Sequence, residues 1–116
     1  MTIKNIELQV GNALATFSVE VDAYGKFTLV DGQMDDASDG YRIKALESLD
    51  AENQVNRFMR ARHFEFVTSG DIFRGALNES QSLINRLRMK GFVVDNDRGD
   101  VIISENGQNA IRRWAY

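Results

Sequence analysis

The spacing of apolar residues changes along this 116-residue chain, and that change restricts the fold more than any single motif does. In ATFSVEVD, Phe17, Val19 and Val21 alternate with Ser18, Glu20 and Asp22, which is the two-residue period of a strand with one buried face. Past residue 50 the period lengthens: Val55, Phe58, Met59 and Arg62 fall at helical spacing. After Gly91 short β-like runs return as FVV and VIIS. The expected architecture is α+β, an N-terminal antiparallel β-meander over 1–47 followed by a helical unit with its own hairpin over 48–116.

In the meander, IELQV and ATFSVEVD are separated by Gly11-Asn12, a Gly-first pair suited to a tight hairpin turn. A second turn at Ala23-Tyr24-Gly25 leads into a third strand, KFTLVD. Three strands with one apolar face are stable only when something covers that face. Residues 31–40, DGQMDDASDG, have no apolar periodicity and are predicted to be a loop. Asp31, Asp35, Asp36 and Asp39 could hold calcium there, but the spacing departs from the twelve-residue calcium loop and no glutamate closes it. A solvated acidic loop is the simpler expectation. YRIKALESL then reads as a fourth strand with Tyr41, Ile43 and Ala45 on one face, the start of a helix being the alternative.

In the second half, Asp50 is expected to cap a helix through AENQVNRFMRAR, with HFEFVTS a short β-like run after it. Ser69 would cap a short helix in GDIFRGAL, presenting Ile72, Phe73, Ala76 and Leu77 on its apolar face. After Asn78 the helical pattern restarts over 79–90, with Leu83, Ile84 and Leu87 inward and Gly91 in the stopping position. Residues 93–103 form a hairpin around Asp95–Asp100, and Ser104 caps a last helix carrying Ala110, Ile111 and Trp114 on one face.

Two texts in this half, RLRMKGFV and ISENGQNAI, resemble the end of the recognition helix and the opening of the post-wing helix in winged helix-turn-helix regulators of the multiple-antibiotic-resistance and arsenic-repressor types. The resemblance spans about 65 residues and leaves the meander outside it. Ser80 stands where those families have an apolar residue; with Leu83 in that place the helix is about one turn short. The resemblance implies a small transcriptional regulator with helix 79–90 in the major groove of double-stranded DNA and a wing, 93–103, on the backbone. Gln81, Ser82, Asn85 and Arg86, with Ser80 at the helix start, would meet bases, while Arg74 and Arg88 would meet phosphates and Arg98 at the wing tip would reach the backbone or a minor groove.

Charge and composition bear on partners. Residues 1–50 carry four basic and nine acidic side chains, and residues 51–116 carry ten basic and eight acidic, a split that suggests a nucleic-acid-facing half joined to one that is not. The carboxylates of Asp71, Glu79, Asp95, Asp97 and Asp100 would oppose phosphates if they faced a duplex. The alternative is a protein-interaction module on the same scaffold, such as a phage or mobile-element inhibitor of a host defence complex, docking through its acidic N-terminal half. Cysteine is absent and His63 is the sole histidine, so thiol, zinc and triad chemistry have little to build on; an enzyme is not expected, nor a cofactor or metal. His63, near a helix end, reads as a surface or cap-like residue. No apolar run nears the ~20 residues a spanning helix requires and no signal-peptide pattern opens the chain, so no membrane partner and a cytoplasmic location are expected. Trp114 and Tyr116 could seal the core or form a homodimer contact.

Overall fold

The computed structural model describes residues 2–34, 38–70, 73 and 75–114. It is α+β, with β1 (Thr2–Val10), β2 (Ala13–Val21), β3 (Phe27–Met34), α1 (Asp39–Ser69), α2 (Gln81–Met89), β4 (Val93–Asp95), β5 (Val101–Ile103) and α3 (Glu105–Arg112). The chain forms two compact units that divide between Gln54 and Val55, so α1 contributes residues to both.

The first unit is an antiparallel sheet in the order β1-β2-β3. Thr2 lies opposite Val21 and Val10 opposite Ala13, which leaves Gly11 and Asn12 as a two-residue turn. The alternation in β2 sends Ala15, Phe17, Val19 and Val21 to one face, where they meet Leu8 and Val10 from β1 and Tyr41, Ala45 and Leu49 from α1. The start of α1 is therefore the cover that the apolar face requires, and each large side chain so buried stabilises the unit by ~1.5–3 kcal/mol. The Asn53 side chain adds a polar tie by accepting the Phe27 N–H at 2.9 Å.

Residues 31–34 belong to β3 rather than to a loop, and Asp39 is the first residue of α1; Asp35 and Asp36 lie outside the described residues. The segment 41–49 is helix, not strand. Tyr41, Ala45 and Leu49 recur every four residues on the buried face while Ile43 is 56% exposed, so covering the sheet outweighs the β-propensity of tyrosine and isoleucine. Asp50 caps nothing; it lies mid-helix and accepts the Gln54 amide one turn on at 3.0 Å. No glycine or proline occurs between Tyr41 and Ser69, and the helix continues through HFEFVTS as well, leaving Phe64 and Val67 exposed.

The second unit packs Val55, Phe58 and Met59 of α1 against Leu83 and Leu87 of α2, Val93 of β4, Ile103 of β5 and Ile111 of α3. β4 and β5 form a two-stranded antiparallel hairpin, and Leu77 donates its N–H to the Val101 carbonyl at 2.8 Å, laying the 75–80 segment beside β5. The helix expected over 70–77 is absent from the described residues: Phe73 and 75–80 are not helical, and Ser69 ends α1 instead of capping a new helix. Phe73 stacks on Phe66 at 6.0 Å between ring centres with the Arg112 guanidinium 5.0 Å from its own, so its burial comes from aromatic packing and not from a helix face. Among the described residues no helix is long and apolar enough to cross a membrane.

Candidate nucleic-acid interface

The candidate surface is built on α2, and both ends of that helix are closed by the chain itself. At the start, Ser80 has extended backbone and its hydroxyl accepts the Leu83 N–H at 3.3 Å. The helix is accordingly 81–89, narrower than the expected 79–90, and Ser80 is its cap instead of a member of its outer face. At the end, Gly91 has φ of 75°, and the N–H groups of Gly91 and Phe92 return to the carbonyls of Arg88 and Leu87 at 3.0 Å each. That double closure satisfies carbonyls that a helix end otherwise leaves bare.

The two texts that carried the resemblance meet in space. The Ser104 hydroxyl donates to the Gly91 carbonyl at 2.6 Å and accepts the Gly107 N–H at 3.0 Å, and the Ser104 N–H donates to the Phe92 carbonyl at 2.9 Å. A Cβ on Gly107 would overlap the Phe92 carbonyl oxygen and come within 2.9 Å of the Ile103 side chain. Lys-Gly-Phe-Val and Ser-Glu-Asn-Gly are thus the two halves of one joint that holds the end of α2 against the start of α3.

With Leu83, Ile84 and Leu87 buried, the outer face of α2 follows from its 3.6-residue turn. Gln81, Asn85 and Met89 form one stripe at four-residue intervals, with Ser82 beside it, and all four are exposed. The Gln81 amide donates to the Asn85 side-chain oxygen at 2.8 Å, while the Ser80 and Ser82 hydroxyls are 3.4 Å apart. Arg86 is half-buried on one flank. Arg88 lies on the other flank, bound at 3.0 Å to Asp95 of β4. This pair joins the last turn of α2 to the hairpin.

The hairpin tip is equally ordered. The Asn96 side chain accepts the N–H groups of Arg98 and Asp100 at 3.0 and 2.9 Å, and the Asn96 N–H bonds the Asp100 carbonyl at 2.9 Å. Arg98 is exposed at this tip. Arg74 lies outside the described residues. Two features escaped the sequence reading: Met89, 77% exposed on the outer stripe, and Asp95 as the partner of Arg88. The four-residue interval from Asn85 could have pointed to Met89; nothing local pairs Arg88 with a residue seven positions on.

Divided at the boundary between the units, the charge is more uneven than a division at mid-chain suggests. Residues 1–54 carry four basic and ten acidic side chains, a net of -6, whereas 55–116 carry ten basic and seven acidic, a net of +3. Among the described residues no group of three or more His, Asp and Glu side chains is disposed to hold a metal ion. Compared with protein-family models, curated proteins and solved structures, the chain matches none.

Proposed function

We propose that the second unit binds double-stranded DNA, with α2 entering the major groove and the β4–β5 hairpin lying along the backbone as a wing. One observation carries this reading: Gln81, Ser82, Asn85 and Met89 are all exposed on one face of a short helix that is capped at both ends and bonded to the neighbouring hairpin. A helix fits the major groove, ~12 Å wide, and side chains held by a rigid scaffold lose little freedom on binding. The order of helix, hairpin and helix, together with the joined motif texts, supports placing this unit near the winged-helix regulators; α2 is then the recognition helix.

Within this reading Arg98 extends from the hairpin tip to a phosphate, Arg86 approaches one strand from the flank, and Arg88 exchanges Asp95 for phosphate or shares its charge between them. Ser80 contributes by fixing the helix start, where its position also suits a backbone contact. The net charge of +3 favours approach to a polyanion. Titrating the full chain against a labelled duplex of mixed sequence at about 50 and 200 mM salt tests the proposal. Three phosphate contacts would lower affinity roughly forty-fold over that range. Failure to bind any duplex at the lower salt would overturn it.

A further inference from the structure

Resting on that reading, we infer that the outer stripe of α2 selects A·T base pairs, with the coupled amides of Gln81 and Asn85 reading adenine and Met89 contacting a thymine methyl group. The amide pair decides the chemistry. Gln81 donates one N–H to the Asn85 oxygen at 2.8 Å, which leaves this exposed pair with the Gln81 oxygen as an acceptor and with the second Gln81 N–H and both Asn85 N–H groups as donors. Reversing both amides exchanges the roles and still leaves a free carbonyl oxygen together with amide N–H donors.

In the major groove adenine presents a donor, N6, beside an acceptor, N7, and so takes both the free oxygen and one N–H of that pair. Guanine presents two acceptors, N7 and O6, so beside it the free amide oxygen has no donor on that base to meet. Arginine is the usual reader of guanine, and no arginine lies on the stripe: Arg88 is bound to Asp95 and Arg86 is half-buried on the flank. Met89 follows Asn85 by four residues, ~6 Å along the helix axis, within reach of the neighbouring base pairs. It is 77% exposed in the midst of polar side chains. Exposed methionine gains nothing in water, whereas a thymine methyl is the one apolar group that the base edges present there.

Fluorescence anisotropy with the full chain tests this against four duplexes of equal length: alternating A·T, alternating G·C, A·T with 7-deazaadenine, and A·T with uracil in place of thymine. Binding to A·T about ten-fold tighter than to G·C is expected. Loss of most of that preference with 7-deazaadenine, which lacks the N7 acceptor, supports major-groove reading. The uracil duplex should bind a few-fold more weakly, and Met89→Ala should abolish that difference. Asn85→Ala and Gln81→Ala should each bring the A·T and G·C affinities together while preserving salt-dependent binding; both residues are exposed, and thermal unfolding verifies that the variants fold. Equal affinity for A·T and G·C, or an A·T preference unaffected by 7-deazaadenine, would overturn the inference and leave DNA binding standing. Absence of binding to all four duplexes would overturn both.

Discussion

Gly107 and Ser104 carry more of the second unit's geometry than their size suggests. Any side chain at Gly107 meets the Phe92 carbonyl, a backbone atom that cannot rotate away. Gly107→Ala is expected to destabilise the protein by ~2–3 kcal/mol or more, measured by denaturant unfolding, because overpacking displaces the joint between α2 and α3. Ser104→Ala removes the α3 cap and the donor to Gly91 together and should cost ~1–2 kcal/mol, whereas Ser104→Thr should cost much less because its hydroxyl can make both bonds. The Ser104 cap was legible in the sequence, since a hydroxyl before a helical run is a local signal. His63 was legible only in part. Its cap-like character is seen at the far end of the unit, where Nδ1 donates to the Ile111 carbonyl at 2.8 Å, a partner 48 residues away.

At the scale of elements, α1 and the hairpin show opposite sides of local coding. The 31 residues of α1 are helical throughout, where alternation and capping rules suggested a strand, a helix and a β-run. Glu47 is exposed in the part expected as strand. Glu47→Pro should therefore cost about 3 kcal/mol or more, with a loss of helical circular dichroism, whereas a proline at an outward strand position would leave that signal unchanged. The hairpin was legible in its turn chemistry, but its bond to α2 was not. Arg88 and Asp95 are both solvent-exposed, so their pair is worth at most ~1 kcal/mol to folding. On the proposed DNA-binding reading its larger effect falls on duplex binding: Asp95→Asn releases the Arg88 charge and removes an anion. Duplex affinity should rise several-fold, and the salt dependence should steepen by about one phosphate contact in the same anisotropy titration. An unchanged slope would place Arg88 away from the backbone.

For the molecule as a whole, charge distribution separates the two units more sharply than composition does. The -6 of residues 1–54 and the +3 of residues 55–116 sum to a net charge of -3, which conceals a second unit of positive net charge. Arg98→Ala should weaken binding to all duplexes about equally and lower the salt slope by about one, the behaviour of a phosphate contact and not of a base contact. The amino-acid sequence by itself determined the α+β class, the meander with its turns, the inward set of α2, the hairpin and the Ser104 cap, because each depends on residues within a few positions of one another. Only tertiary structure decided that 41–49 is helical, that Ser69 ends a helix, that Asp95 engages Arg88 and that Met89 stands exposed on the outer face. Tyr41, Ala45 and Leu49 choose the helix because an apolar sheet face made by β1 and β2 needs covering, and that demand is set by residues as far away as Leu8. Local propensities there differ by well under a kilocalorie per residue, less than the burial of one side chain on the sheet contributes.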